Sequence, residues 1–592
     1  MVRPSVVAGV AAAVAAAVAA GVLWAVAPGG TGGPLPSLAS PLRPAPDLHG
    51  RPAVSGALAA PGGAFLYDSH GRVVFLHGVN VVYKHPPYEV YPDPGKPWNF
   101  GPADASLMAR LGFDVVRLGI MWAGLEPGTA PANDPAICRP GPPGDPHQFD
   151  AAVLHRYLVH VRQTVDLLGR YHVYTLLDMH QDVYNPMFDG EGAPGWAVCT
   201  DGVRSVDPPG RWSRSYATRA AGIAFDHFWD NDVVGNLQGQ YDLVWGAVAR
   251  FFRNDPWVVG YDPFNEPFSA SLVRHGDEHF DAQLECFYTG TAHVGSASHR
   301  APAIHCPPQD PPEGVIPTIL ANDPHHLVFD EPDNYASRGY PTFIGPMDFP
   351  RLVYNVHVYC GARNPRTGNP TDVPACSAQE LRSLGRRAED RLEMRSPAQR
   401  AGPAWFVSEY GATSDGALVS AFAAAADAHM VGWCFWAWKY YADPTGSAAE
   451  GLVMADGRLR SVAHALSQVY PEAVSGTPRA ISLDPATGDF SLRYTARRAG
   501  GAPTVVFVPT TVDYPRGYCA RASGAVIGSR PGSELLVVRD RPGARVVTVT
   551  VSEGRCPAAS ARPPGSSAPA GVPAGSSAPA GVPASRSGSS PS

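Results

Sequence analysis

Two glutamates in this sequence lie where buried apolar runs end. Glu266 lies in "YDPFNEPF" (261–268), directly after Asn265, and Glu409 lies in "AWFVSEYGA" (404–412). A glutamate is costly to bury, and most glutamates are ordinary surface residues. Two carboxyl groups at strand ends can instead work as a pair, one moving a proton and the other attacking carbon. Hydrolysis of a glycosidic bond with retention needs such a pair, about 5–5.5 Å apart.

Other polar and aromatic residues follow neighbouring apolar runs in the same way. We predict that they bind the substrate, and they are Arg117, His180, Asp182, Asn265, His357, Tyr359 and Trp436. Arg117 and Tyr359 are candidates to keep Glu409 charged, because a nucleophile must stay ionised. Asn265 is a candidate to orient a sugar hydroxyl.

Several of these residues have an alternative interpretation. His180 and His357 could be core histidines, although their positions at strand ends favour the site. At least one of Trp436 and Trp438 should face the pocket, because the apolar face of a sugar stacks well on indole. Glu191 and Glu331 are also acidic residues near strand ends or loops, and neither is predicted to take part directly.

The elements that must position these residues are eight short, nearly continuous apolar runs. They are residues 72–80, 114–122, 172–182, 257–267, 326–335, 351–359, 404–412 and 430–439. Such runs are typical of strands buried on both faces. Apolar residues recur at three- and four-residue spacing between some of them, as in 151–171, which predicts helices. This alternation predicts the α/β class and a (β/α)₈ TIM barrel, whose active site lies at the carboxyl ends of the strands.

Length and composition predict more than one domain. A chain of 592 residues exceeds the size of a single ordinary core, and from about Pro478 short alternating strands replace the barrel pattern. We predict a (β/α)₈ catalytic domain over 61–474 and a small C-terminal β-sandwich over 475–557. The net charge of −7 provides no basic surface for nucleic acid.

The two ends of the chain differ in composition from the predicted domains. Residues 1–30 contain Arg3 and then an apolar stretch that ends in "AVAPGG", which predicts a signal peptide or an N-terminal membrane anchor. We predict a flexible linker over 31–60 and a disordered Pro/Ser/Ala/Gly-rich tail over 558–592. Either interpretation of the N-terminus predicts that the rest of the protein is secreted or extracellular. It would be tethered to the membrane if the first segment is not cleaved.

The nine cysteines support an oxidising environment. They lack the C-x-x-C spacing of a zinc site, so no metal is predicted. Cysteines of exported proteins usually pair. We expect pairing in sequence order, with Cys434 left over because it lies inside a dense apolar run.

Taken together, these motifs resemble the retaining glycoside hydrolases of family 5. The likeness rests on "NEP" after the fourth run, "SEYG" in the seventh, and the Arg, His, His-x-Tyr and Trp positions, over about residues 64–470. "GVNVVYKHPPY" (78–88) and "LDMHQDVYNPMFDGEGAPGWAV" (177–198) resemble the endoglycoceramidases within that family. The stretch 130–147 has no evident counterpart there, which leaves the shape of the cleft open.

The resemblance implies roles for particular residues. It implies Glu266 as the acid/base and Glu409 as the nucleophile. The implied glycan contacts are Lys84, His180, Asp182 and Trp229. It further implies a glycolipid or β-glycan substrate, cleavage between oligosaccharide and ceramide, and no cofactor.

Other functions remain open at this point. A β-glucanase, β-mannanase or β-glucosidase could use the same barrel, because a fold does not fix the substrate. A non-catalytic glycan-binding surface protein is a further alternative, although a binder has little use for both carboxylates. We expect a monomer that does not bind nucleic acid, and transient contact with a membrane or micelle surface is open.

Overall fold

The computed structural model describes most of the chain between residues 58 and 556. The described residues are 58, 60, 64–145, 149–206, 212–270, 278–291, 306, 314–361, 363–364, 369–447, 449–497, 501–554 and 556. The predicted leader, the predicted tail and all of the predicted linker except Leu58 and Ala60 lie outside them. Within the described residues, no helix is both long and apolar enough to cross a membrane.

A closed parallel barrel forms the larger part of the described chain. Two short strands precede it, β1 (Leu66–Tyr67) and β2 (Val73–Val74). The barrel strands are β3 (His77–Val81), β4 (Val115–Ile120), β5 (Tyr174–Met179), β6 (Val258–Asp262), β7 (Leu327–Asp330), β8 (Leu352–Val358), β9 (Ala404–Gly411) and β10 (Gly432–Trp436). β10 pairs with both β9 and β3, which closes the barrel. The predicted TIM barrel is confirmed.

Helices surround this barrel in the order that the alternating pattern predicts. Those of the described residues are α1 (Pro102–Leu111), α2 (Trp122–Leu125), α3 (Ala151–Arg170), α4 (Arg219–Asp230), α5 (Leu237–Phe252), α6 (Glu278–Thr289), α7 (Val315–Asn322), α8 (Val373–Glu393), α9 (Gly416–Ala428) and α10 (Val462–Leu466). α3 illustrates how the sequence specifies them. Its N-cap Asp150 accepts the backbone N–H groups of Ala152 and Val153, and its apolar residues occupy one face.

Two antiparallel sheets follow the barrel. Their strands are β11 (Tyr470–Val474), β12 (Gly476–Leu483), β13 (Phe490–Ala496), β14 (Thr504–Phe507), β15 (Tyr518–Ser523), β16 (Ala525–Ile527), β17 (Leu535–Asp540) and β18 (Val546–Glu553). One sheet has the order β1-β2-β11-β14-β17-β16 and the other β12-β13-β18-β15. The predicted β-sandwich is present.

The sandwich also contains residues that precede the barrel. The first predicted apolar run, 72–80, divides between two sheets: Val73 and Val74 pair with β11, and only His77–Val81 enters the barrel. An apolar run shows that a segment is buried. It does not show which of two sheets buries it, and this explains the difference.

The sandwich packs against the end of the barrel where the strands begin. His77, the first residue of β3, stacks on Trp433 at 4.3 Å and on Tyr470 at 3.9 Å between ring centroids. The Tyr470 hydroxyl donates to the Gly112 carbonyl at 2.7 Å. Gly112 has φ +85° at the end of α1, and a Cβ there would lie 2.3 Å from the ring of Phe507. The sandwich therefore supports the barrel at the end opposite to the strands' carboxyl ends.

The cysteines pair in sequence order, as predicted. Among the described residues the disulfides are Cys138–Cys199, Cys286–Cys306, Cys360–Cys376 and Cys519–Cys556. Cys434 is free and fully buried in β10. The Cys138–Cys199 bond ties the unaligned stretch after residue 130 to the loop at Thr200, whose side chain also bonds Asn133 at 3.0 Å.

Candidate active site

A cavity of about 640 Å³ opens at the carboxyl ends of the barrel strands. Its volume suits a ligand-binding pocket. The predicted residues that line it are Lys84, His180, Asp182, Asn265, Glu266, Tyr359, Glu409 and Trp436. None of the described residues between 130 and 145 lines it.

The two glutamates meet across this cavity. Glu266 follows β6 and Glu409 lies near the end of β9. One oxygen of each carboxylate and one nitrogen of His357 all lie within 4.8 Å of one another. Retaining glycosidases place their carboxyl groups about 5–5.5 Å apart, whereas inverting enzymes need about 6.5–9.5 Å to admit a water. The spacing is that of a retaining mechanism.

Glu409 is held by two hydrogen-bond donors. Arg117 Nη1 donates to Oε1 at 2.6 Å, and the Tyr359 hydroxyl donates to Oε2 at 2.9 Å. Burial raises the pKa of Glu409 to about 7, while the charges of His357 and Arg117 oppose that rise. The carboxylate is therefore half ionised near pH 7 and increasingly ionised above it. Both donors stabilise the charged form that a nucleophile requires.

Glu266 is the more exposed of the two, with 17% of its side chain accessible. Its Oε1 lies 2.9 Å from His357 Nδ1. Its backbone has φ +44°, in the left-handed region that residues other than glycine rarely adopt. The N–H of Glu266 donates to Glu331 Oε2 at 3.0 Å, which helps to hold this conformation. An accessible carboxyl in a fixed direction suits an acid/base that exchanges protons with a leaving group and then with water.

Arg117 and His357 differ from the prediction that they contact the substrate. Their side chains are 0% and 2% exposed and do not line the cavity. Arg117 lies below Glu409, and His357 lies behind both glutamates. The charged atoms of each are surrounded by carboxylates, and each contacts at least one of the two glutamates.

Lys84 and Asp182 form the other polar end of the cavity. Lys84 Nζ lies 2.6 Å from Asp182 Oδ2, 3.2 Å from Asp443 Oδ2 and 3.3 Å from Glu191 Oε1. Burial lowers the pKa of Lys84, but these carboxylates raise it well above its ordinary value, so the lysine is charged. Ionised groups at a cavity wall are strong hydrogen-bond partners for sugar hydroxyls.

Trp436 provides the aromatic surface beside these charges. Lys84 Nζ lies 4.5 Å from the centroid of its ring, and the His180 ring stacks on it at 5.3 Å. Burial and the charge of Lys84 hold the pKa of His180 well below its ordinary value, so His180 is neutral. Its Nε2 has no hydrogen-bond partner among the described residues. Trp436, not Trp438, faces the cavity, since Trp438 is 0% exposed.

Trp229 does not contact this cavity. It lies in α4 with 1% exposure, and its Nε1 donates to the Phe268 carbonyl at 2.9 Å. Its ring packs between Phe264 and Phe280, at 5.1 and 5.3 Å. The structure therefore places it in the core, and the glycan contact implied by the resemblance does not occur there.

Several lining residues had no signal in the sequence. An aromatic wall is formed by Trp212, Tyr216, Phe268 and Tyr335, and further polar residues include Arg363, Thr445 and Glu450. These residues lie on loops and short 3₁₀ helices, and their order in the sequence gives no sign that they meet. Phe268 adjoins the "NEP" motif and Tyr335 ends the fifth apolar run, while the others lie outside the runs and motifs.

Two groups of side chains around this cavity bring possible metal-ligand atoms together. They are His180, Asp182 and Glu191, and Glu266, His357 and Glu409. The Lys84 ammonium lies against two carboxylates of the first group. Arg117 bonds one carboxylate of the second. In both groups a side-chain cation already balances the acidic residues.

Comparisons with known proteins agree with this geometry. Residues 98–442 match the family model described as cellulase (glycosyl hydrolase family 5), and residues 469–551 match the glycoside hydrolase family 5 C-terminal domain. Endoglycoceramidase I of Rhodococcus hoagii is 27% identical over 508 residues, which cover 83% of this chain and 87% of that protein. An endoglycoceramidase of Cyanea nozakii is 26% identical over 487 residues, which cover 76% of this chain and 84% of that protein.

Solved structures share the fold. Endo-glycoceramidase II from Rhodococcus sp., as a lactosyl-enzyme intermediate, superposes with a TM-score of 0.62 at 24% identity, covering 83% of this chain and 99% of that one. The same enzyme in a ganglioside GM3 complex has a TM-score of 0.62 at 22% identity, covering 83% and 100%. Because the first family model spans more than half of the sequence, the chain belongs to glycosyl hydrolase family 5 and is a retaining glycosidase.

Proposed function

We propose that this protein hydrolyses the β-glucosidic bond between oligosaccharide and ceramide in glycosphingolipids, as an endoglycoceramidase. The observation that carries the chemistry is the pair Glu266 and Glu409, with carboxylate oxygens within 4.8 Å of each other. The choice of substrate is supported by the likeness to endoglycoceramidase I of Rhodococcus hoagii, which extends over 83% of the chain.

The reaction proceeds by double displacement at these residues. Glu409 attacks the anomeric carbon while Glu266 gives its proton to the leaving oxygen of ceramide. An electron pair of the Glu409 carboxylate forms the ester bond as the bond to the ceramide oxygen breaks, and the hydrogen bonds from Arg117 and Tyr359 weaken as the charge on Glu409 disappears. Glu266 then removes a proton from water, which attacks the same carbon and frees the oligosaccharide with Glu409 restored.

Incubation with lactosylceramide tests the substrate. We expect mass spectrometry to detect lactose and intact ceramide in equal amounts, and Glu409→Gln to release neither. Release of galactose with glucosylceramide would show an exo-acting enzyme, and no release would also refute the proposal. Proton NMR of the first product should show the β-anomer, because two inversions retain configuration.

A β-glucanase is the second candidate, favoured by the match of residues 98–442 to the cellulase model. A shared barrel does not decide the leaving group. Hydrolysis of cellulose or mannan with no release from lactosylceramide would favour this candidate over the first.

We further propose that the protein acts outside the cytoplasm and meets its substrate at a lipid surface as a monomer. Four disulfides among the described residues support an oxidising compartment. Met187 and Val206, in the segment after β5, are 42% and 64% exposed and could touch a micelle. N-terminal mass analysis of protein from medium and membrane fractions, and light scattering of the purified protein, test location and oligomeric state.

A further inference from the structure

Glu331 follows β7 and lies behind the catalytic glutamates. Its side chain is 3% exposed and does not line the cavity. In sequence it is one of several acidic residues near strand ends, with no motif to mark it. Its contacts distinguish it from the others.

Both oxygens of this carboxylate bond groups that hold the catalytic pair. Oε1 accepts from Arg117 Nη2 at 2.8 Å and lies 3.1 Å from His357 Nε2. Oε2 accepts the backbone N–H of Glu266 at 3.0 Å. Arg117 in turn donates to Glu409 at 2.6 Å. One buried side chain is thus connected to the nucleophile through Arg117 and to the acid/base directly and through His357.

The charges of this cluster are mutually stabilised. Burial raises the pKa of Glu331, but His357 and Arg117 lower it to about 2, so the carboxylate is ionised. Burial lowers the pKa of His357, but Glu331 and Glu409 raise it well above its ordinary value. His357 is therefore an imidazolium, whose Nδ1 bonds Glu266 at 2.9 Å and whose Nε2 lies 3.1 Å from Glu331 as an ion pair without hydrogen-bond geometry.

The backbone of Glu331 is anchored as firmly as its side chain. The Tyr288 hydroxyl, on α6, donates to the Glu331 carbonyl at 2.7 Å and accepts the Glu331 N–H at 3.1 Å. Tyr288 is fully buried. The carboxylate therefore has little freedom to follow its partners, and its partners must align to it.

We propose that Glu331 is a positioning residue for both steps of the retaining reaction, fixing Arg117 against the nucleophile and His357 and the backbone of Glu266 for the acid/base. It does not touch substrate, so its effect should fall on turnover and not on binding. The inference rests on the proposed hydrolysis at this site, but it is independent of which β-glycoside is cut.

Asp330 is the matched control. It directly precedes Glu331, is 1% exposed, and has no hydrogen-bond partner for either oxygen among the described residues. Burial raises its pKa well above the ordinary value, which favours the neutral form that asparagine mimics. Asp330→Asn changes a buried acid at the adjacent position without touching the catalytic cluster.

The experiment compares the wild type with Glu331→Gln, Glu331→Asp and Asp330→Asn. Each protein is assayed on 4-nitrophenyl β-lactoside and on lactosylceramide. The active sites are counted with a 2-fluoro-lactoside that traps the nucleophile. We expect Glu331→Gln to lower kcat per active site about 10- to 100-fold, because it loses hydrogen bonds between charged groups. KM should stay within about threefold of wild type. Glu331→Asp should recover part of the loss, and Asp330→Asn should match wild type.

The inference is overturned if Glu331→Gln keeps its kcat per active site, or if the loss appears only in KM. If Glu331→Gln does not fold, Tyr288→Phe releases the same backbone while leaving the carboxylate, and an unchanged kcat per site would overturn the inference. Wild-type inactivity on every β-glycoside would instead refute the proposed function, and the inference with it.

Discussion

Tyr359→Phe removes one of the two hydrogen bonds that hold the Glu409 carboxylate, and it should therefore change how much of that carboxylate is ionised. The hydroxyl donates to Glu409 Oε2 at 2.9 Å, while Arg117 remains on the other oxygen. A hydrogen bond to a charged group contributes about 1.5–3 kcal/mol. Because one pKa unit corresponds to about 1.4 kcal/mol, its loss should raise the pKa of Glu409 by about one to two units.

The direction of the pH effect follows from this shift. Burial already raises the pKa of Glu409 to about 7, and the variant should move it to about 8–9. At pH 7 the ionised fraction would fall from about one half to between about a tenth and a hundredth, so kcat/KM should fall about 5- to 50-fold. Above the new pKa most of the activity should return.

The assay is the pH profile of kcat/KM on 4-nitrophenyl β-lactoside, which reports the ionisations of the free enzyme. The acidic limb should move upward by about one to two pH units in Tyr359→Phe. Tyr335→Phe removes a hydroxyl elsewhere on the cavity wall and should leave the limb in place. A loss of equal size at every pH, with an unmoved limb, would refute this account of Glu409.

Three further variants test other parts of the structure. Glu409→Gln should abolish turnover of lactosylceramide while lactose still binds in calorimetry, because only the covalent step needs this carboxylate. Glu266→Ala should slow the hydrolysis of lactosylceramide about 10²- to 10⁴-fold. It should slow the hydrolysis of 2,4-dinitrophenyl β-lactoside far less, since a good leaving group needs no proton. Equal losses on the two substrates would contradict the acid/base role. Gly112→Ala should lower Tm, because φ is +85° and Phe507 fills the space, with an overpacking cost of about 1–3 kcal/mol and kcat per site unchanged.

The barrel could be predicted because each of its strands can be recognised from its own sequence. A parallel strand is buried on both faces, so its sequence is apolar throughout, and all residues of β4, β5 and β8 are indeed buried. Polar residues at the ends of such runs then converge by topology alone. This reasoning reached Glu266 and Glu409 without any knowledge of side-chain direction.

The sequence predictions fail where the direction of a side chain, or the identity of its partners, determines its position. Trp229 lies in a segment that resembles its relatives, yet the buried face of α4 turns it into the core. Glu331 stands at a strand end like a true lining residue, and Arg117 lies in the middle of β4. Only the arrangement of the surrounding carboxylates shows that both lie beneath the cavity. Sequence position identifies the catalytic end of the barrel but not the depth at which a side chain lies.

The two catalytic glutamates interact electrostatically. In the free enzyme the charge of Glu266 contributes, after burial, to raising the pKa of Glu409. When Glu409 becomes an ester, its negative charge disappears while the His357 imidazolium stays 2.9 Å from Glu266. Under the proposed mechanism this positive charge lies beside Glu266 when it takes the proton from water in the second step.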